Sequence, residues 1–339
     1  MSYLTEKRDH EIRIIKNLCQ DAITGFAENQ RVVKGDDGAM FAAELVKETI
    51  KQLVSHKYPE FRWAKGDLVS FNRGGHAGME VREWYEEEGT GEADFISDTG
   101  EGAPTVGMKI KPHINRFSKF GIKMVVTDAD TDRAQLQGLF NVATELAKKA
   151  KRGYMQKLNR LVLYGDETKQ ISGMRAAPGS LRFALTGNLW DGASAKSPAQ
   201  IAADIVEVIS EIYTGSNTLY KPDTIVLPSI LAPRLHELQN SISSDVVLMS
   251  RLKNVFDGSS EFPIKNWVFD HSMNTVSDAG GRAMLMYNAG SEFLEALLPV
   301  DFKPARAKQE PMHMEQLWWG KYGGLALYQP RSMAFVTGL

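Results

Sequence analysis

TDRAQLQGLFNVATELAKKAKRGYMQKLNRLVLY, residues 131–164, decides the fold. Its apolar positions are Leu136, Leu139, Phe140, Ala143, Leu146, Ala147, Ala150, Tyr154, Leu158, Leu161 and Val162. They fall mostly three or four apart, the spacing of one face of an α-helix. At ~1.5 Å per residue the helix is about 50 Å long, whereas most globular helices stop after three or four turns.

Upstream, from about Arg62 to Gly121, the period changes to two. Val106, Met108 and Ile110 alternate with Gly107 and Lys109; Phe120, Ile122, Met124 and Val126 alternate with Gly121, Lys123 and Val125. That is strand spacing. Gly74-Gly75, Gly78, Gly89-Thr-Gly91 and Gly100-Glu-Gly102 punctuate it, with the acidic run Glu86-Glu87-Glu88. Long hairpins without a covering helix are marginal in water, so an ordered version needs a partner surface. The long helix beside such an arm points to a subunit that reaches its neighbours.

The rest of the chain alternates helix and strand signals. Two amphipathic helices come first, one through Ile15, Leu18, Cys19, Ala22, Ile23 and Phe26, the other over about 39–55; the turn Lys34-Gly-Asp-Asp-Gly38 separates them and Pro59 closes the unit. After the loop 168–190, Ser197-Pro198-Ala199-Gln200 reads as a capping box with proline at the first helical position. The helix it starts runs to about Tyr213, burying Ile201, Ile205, Val208, Ile209 and Ile212. Residues 222–299 look like α/β layering: a strand at 224–227 stopped by Pro228, helices near 231–238 and 245–255, and strands near 267–269 and 283–287. Three further strands are expected at 314–319, 324–328 and 333–336. No repeat or heptad array is present.

Composition narrows the function. The 339 residues are 43% hydrophobic, enough for a sizeable core. A net charge of -2 argues against a general electrostatic grip on nucleic acid. The single cysteine, Cys19, forms no internal disulfide and reads as a small core residue. The charged N-terminus has no signal-peptide pattern, and nowhere do about 18 uncharged apolar residues run together, so no membrane span is expected.

No complete catalytic pattern occurs in the sequence. Asp128, Asp130 and Asp132 occupy the first three ligand positions of a calcium loop. The sixth and twelfth positions, Arg133 and Leu139, break the pattern. The acids read instead as capping and dipole chemistry at the start of the long helix. Asp36-Asp37 reads as a solvated turn. No phosphate loop, nucleophile elbow or zincin pair occurs. Lys148, Lys149, Lys151 and Arg152 on the long helix read as a solvated face or inter-subunit ion pairs, because no aromatic residues are interleaved with them in sequence. Trp318 and Trp319 fall on opposite faces of a strand, one for the core and one for contact. Arg73, Lys109 and Lys111, with Glu86–Glu88 and Glu92, give the arm both signs of charge, which sets register with a partner; the alternative is an ordinary solvated hairpin.

In their order, these elements resemble the major capsid proteins of tailed bacteriophages with the Hong Kong 97-like fold. The residues concerned are Phe41-Ala-Ala-Glu-Leu45, Tyr58-Pro59-Glu60, Ala93-Asp-Phe-Ile-Ser-Asp-Thr-Gly100 with Pro104-Thr-Val106, Leu161-Val-Leu-Tyr-Gly-Asp166, Ile171-Ser-Gly173, Pro222-Asp-Thr-Ile-Val-Leu-Pro228, and Gly323-Gly324 with Pro330. The resemblance implies an α+β fold in four parts: an N-terminal arm of two helices at 1–61, an extended E-loop at 62–121, a peripheral domain at 122–213 and 305–339 with its spine helix at about 131–164, and an axial α/β domain at 214–304.

It further implies a shell protein that self-assembles as pentamers and hexamers into an icosahedral head around double-stranded DNA, without sequence-specific binding. Such a protein sits in the virion, is assembled in the host bacterial cytoplasm, and works with separate scaffold, portal and decoration proteins. It is no enzyme; no catalytic, cofactor-binding or metal-binding residue is expected, and no membrane partner. The alternatives are an encapsulin-like compartment, from another class a carboxylate-metal enzyme using Asp128, Asp130 and Asp132, and third a nucleic-acid binder.

Overall fold

The structure is a computed structural model in two units, Met1–Lys57 and Tyr58–Leu339. It describes residues 58–94, 105–137, 142–192, 194–237, 239–240, 243–257, 264–277 and 281–339, all in the second unit. The two N-terminal helices, Cys19, Asp36-Asp37 and the 41–45 motif lie outside the described residues.

The first element is not the expected strand. Residues 62–65 form a short helix, α1 (Arg62–Lys65), which ends on Gly66 in the left-handed region (φ 88°). Trp63, Ala64, Leu68 and Val69 are buried, so residues 62–69 belong to the core rather than to a projecting arm. Strand β1 (Phe71–Asn72) follows, and then an antiparallel pair, β2 (Val81–Thr90) and β3 (Gly107–Arg116). Next come β4 (Ser118–Thr127) and two helical stretches, α2 (Asp128–Gln137) and α3 (Val142–Tyr164). Residues 138–141, in the middle of the expected single helix, lie outside the described residues.

Helix α2 starts three residues before the expected position. Thr127 caps it, its Oγ1 accepting from the Asp130 backbone N–H at 3.2 Å and donating to Asp130 Oδ2 at 2.6 Å. Asp128 and Asp130 therefore sit inside the first turn, where the helix dipole favours them, instead of capping it from outside. In α3 the buried face is Ala150, Tyr154, Leu158, Leu161, Val162 and Leu163, whereas Leu146 is half-buried.

The chain continues through β5 (Leu181–Ala184), α4 (Pro198–Gly215), β6 (Thr224–Pro228), α5 (Ala232–Glu237), β7 (Gln239–Asn240), β8 (Ser243–Val247) and α6 (Leu248–Asp257). Strands β9 (Asn266–Asp270), β10 (Ala283–Tyr287), β11 (Leu294–Leu297), β12 (Val300–Pro304), β13 (Lys308–Glu310), β14 (His313–Tyr322), β15 (Leu325–Leu327) and β16 (Met333–Thr337) complete it. The capping box forms as read: Ser197 Oγ accepts from the Gln200 N–H at 3.4 Å, and Gln200 Oε1 accepts from the Ser197 N–H at 2.8 Å. The helix expected at 245–255 begins only at Leu248, because Ser243–Val247 pairs with Gln239–Asn240 as a strand.

Three sheets build the body. A five-stranded sheet has the order β5-β16-β10-β6-β9, with parallel pairing at β16–β5 and β6–β9. A second joins β1, β11 and β15. In the third, β14 pairs with β4 along ten residues and with β12 and β13 on its other edge. One core packs α1 and α3 against Tyr287, Leu294, Tyr322, Leu325 and Phe335. The other packs the isoleucines of α4 and the apolar face of α6 against β6, β10 and β16. The five-stranded sheet thus draws residues 181–184 and 333–337, expected in the peripheral part, together with 224–287, expected in the axial part.

Candidate assembly surface

The β2–β3 ribbon pairs ten residues a side, from Val81↔Arg116 to Thr90↔Gly107. At ~3.3 Å per residue it extends about 33 Å. Pairing fixes its two faces. On one, Trp84 lies flat on His113 (centroids 4.1 Å, 8°) and edge-on to Tyr328 of the body (5.1 Å, 78°). Trp84 Nε1 donates to Asn115 Oδ1 at 3.0 Å, and Asn115 Nδ2 donates to the carbonyls of Gly323 (3.3 Å) and Leu325 (3.2 Å). Burial, and next the Glu295 carboxylate it bonds at 3.1 Å, raise the Tyr328 phenol above its ordinary pKa. Asn115 thus uses one acceptor and both donors to tie the ribbon to the chain that leaves β14.

Further along this face Glu86 lies 2.8 Å from His113 Nε2 and 4.0 Å from Lys111 Nζ, and Glu88 stands opposite Lys109. These charges, read as setting register with a partner, first set register within the ribbon. Arg73 is likewise paired inside the chain, 3.4 Å from Asp301.

The opposite face is apolar and open. Tyr85, Met108, Ile110 and Ile114 are between 56 and 63% exposed, with Val81 at the base, and the charged residues among them are Glu83, Glu87 and, opposite Val81, Arg116. A two-stranded ribbon with one bare apolar face is marginal in isolation, and contiguous exposed apolar surface marks an interaction site.

A second open surface lies on the β4–β14 sheet. Lys119, Phe120, Gly121, Leu317 and Trp319 line a groove of about 360 Å³, with the Lys119 ammonium 5.4 Å from the Trp319 ring centre. Only glycine fits at 121, where a Cβ would stand 2.5 Å from the Trp318 carbonyl. The two tryptophans divide as their parity requires. Trp318 stacks on Phe302 (4.6 Å, 11°) in an aromatic series with Tyr154 and Phe120, while Trp319 faces the groove. Beside it Lys123 Nζ donates to Glu315 Oε1 at 2.8 Å, which holds that carboxyl below its ordinary pKa.

The acidic triplet at 128–132 is part of the start of α2, and among the described residues no cluster of three or more His, Cys, Asp or Glu is placed to hold a metal. On α3, Lys148 pairs with Glu145 at 2.6 Å and Arg152 lies over the Tyr58 ring. Trp84, Asn115 and Tyr328, which orient the ribbon, are not singled out by sequence, because the partners of Asn115 lie more than 200 positions away.

A sequence model of the major capsid protein family matches residues 91–339. The chain belongs to that family. The capsid protein is similar in fold to the capsid of Myoviridae phage XM1, with a TM-score of 0.74 and 14% identity over 88% of this chain and 98% of that one. The capsid of the native GTA particle gives a TM-score of 0.61 and 10% identity over 90% and 99% of the two chains. The virus-like particle from Pyrococcus furiosus gives 0.52 and 12% over 80% and 90%. At such identities the likeness is one of fold, and that fold is the Hong Kong 97-like one expected from the order of elements. No curated protein sequence matches the chain. As a major capsid protein it is a virion shell subunit that assembles with copies of itself. No described helix is long and apolar enough to cross a membrane.

Proposed function

We propose that the capsid protein forms pentamers and hexamers that close into an icosahedral phage head around double-stranded DNA. The observation behind this reading is the bare apolar face of the β2–β3 ribbon, which has no partner within the described residues and would be covered by a neighbouring copy. The ribbon takes the part of the E-loop over about 81–116, narrower than 62–121 because residues 62–69 are core. The spine helix and the β4–β14 sheet serve as the peripheral domain. The five-stranded sheet with α4, α5 and α6 serves as the axial one. Residues 1–61 act as the N-terminal arm. The subunit works by association and not by catalysis, with scaffold, portal and decoration proteins supplied separately during assembly in the host bacterial cytoplasm.

Deleting residues 82–115 and closing the gap with a short linker tests this reading. The expected product is a folded subunit that no longer forms particles, by circular dichroism, light scattering and negative-stain imaging. Normal particles from the deletion variant refute the E-loop assignment. The rival compartment reading is separated by interior content: nuclease-sensitive DNA from opened particles supports the phage head, and an enzyme cargo without DNA supports the compartment.

A further inference from the structure

Of the basic set on the long helix, Arg152 is placed by the fold in a groove together with Arg160 and with aromatic residues distant in sequence. Arg152, Gln156 and Arg160 stand at successive turns of α3 and flank a groove of about 340 Å³ whose other walls include Tyr58, Tyr164 and His271. The Arg152 guanidinium lies over the Tyr58 ring, and its Nε is buried without a hydrogen-bond partner. No carboxylate among the described residues pairs with Arg152 or Arg160; the one acid at the rim, Glu60, is engaged by Lys65 at 3.2 Å and Arg62 at 3.9 Å. The floor is held rigid by Asn159, whose Nδ2 donates to Ser272 Oγ at 3.2 Å while its Oδ1 accepts from the Trp63 N–H at 3.1 Å.

Guanidinium forks without carboxylate partners suit phosphate oxygens, and the tyrosines beside them hold arginines over their rings, Arg152 over Tyr58 and Arg175 5.8 Å from the centre of Tyr164. The aromatic residues absent between these charges in sequence are brought in from residues 58 and 164. We infer that this groove binds the sugar–phosphate backbone of nucleic acid, weakly and without reading sequence. The inference rests on the reading that the shell encloses DNA. An acidic segment of another protein is the competing occupant, and displacement by polyglutamate separates the two.

With two or three phosphates neutralised, the logarithm of affinity falls roughly twofold faster than that of salt concentration, so tripling the salt costs about tenfold. The test is fluorescence anisotropy of a short mixed-sequence DNA duplex titrated with unassembled full-length protein. Binding is expected to weaken about tenfold on tripling the salt. Arg160→Ala, at an exposed position, should weaken it several-fold, Arg160→Lys should restore most of it, and Lys303→Ala with Lys308→Ala on the sheet side should leave it unchanged. Circular dichroism verifies that each variant is folded. Wild-type affinity in Arg160→Ala overturns the inference. So does salt-insensitive binding, no binding at all, or equal displacement of the duplex by polyglutamate at matched charge. Light scattering on the same variants keeps the two readings apart: lost duplex binding with intact particles concerns the groove, and lost particles with intact duplex binding concerns the shell.

Discussion

Lys196 Nζ lies 3.0 and 2.8 Å from the two carboxylate oxygens of Asp204, and both side chains are nearly enclosed. The same carboxylate accepts from Trp190 Nε1 at 2.7 Å, so one acid on α4 fastens the loop that precedes the helix. Asp204→Ala leaves a buried ammonium and an indole N–H without partners. It is expected to destabilise the subunit by about 3–5 kcal/mol in urea unfolding. Replacing both charges together, Lys196→Met with Asp204→Leu, should recover most of that loss. A double variant as unstable as Asp204→Ala would place the loss in the orphaned Trp190 N–H or in the pair itself rather than in the unpaired ammonium.

Asn115 makes an opposite kind of contact, one that orients more than it stabilises. Asn115→Ala removes a fully used amide and orphans Trp84 Nε1, at a cost of about 1–3 kcal/mol that is local to the ribbon. Hydrogen exchange should accelerate in β2 and β3 while α3 and α4 stay protected, and particle yield should fall. Unchanged exchange in the ribbon would mean that Trp84 stacking alone holds it.

Along the spine helix, burial decides the ranking. Leu158 is fully buried, and Leu158→Ala should cost about 2–5 kcal/mol. Leu146→Ala should cost clearly less, since the fold leaves Leu146 half-buried where its place in the apolar stripe predicts burial. Lys148→Ala and Lys151→Ala should each change stability by at most ~1 kcal/mol. Denaturation midpoints for the four variants decide the order.

The Lys123–Glu315 pair has a pH signature. The hydrogen bond from Lys123, the first cause of the shift, lowers the Glu315 carboxyl in the folded state. Its contribution is therefore present above the ordinary carboxylate pKa and disappears as pH falls through the lowered folded value. Lys123→Met should move the Glu315 titration upward toward the ordinary range in NMR. A titration that stays in place would assign the shift to His313 and Lys308.

Legibility in the sequence followed locality. The capping box marked the start of α4, and the apolar run at 283–287 marked β10 to the residue. Strands β11, β12 and β13 escaped, because LEAL and VDFKP have little strand character of their own and are extended by their neighbours in the sheet. The apolar stripe of 131–164 marked helix on both described stretches, Asp128–Gln137 and Val142–Tyr164. The open face of the ribbon was legible from the alternation of Met108 and Ile110. The face that grips the body was not, since Trp84 and Tyr328 meet only after folding.

Strand β16 fills the slot between β5 and β10, pairing Ala334 with Leu181 and Met284 with Val336. A ribosome adding ~5–20 residues per second takes roughly 8–30 s to travel from the first of these strands to the last. The β5 edge stands open through that interval, and the edge of β10 joins it for roughly the last 50 residues, about 3–10 s, open to any passing strand. Translation thus sets a clock on association. A nascent subunit has an incomplete five-stranded sheet until residues 333–337 emerge, so joining a neighbour in the finished geometry waits for that last strand.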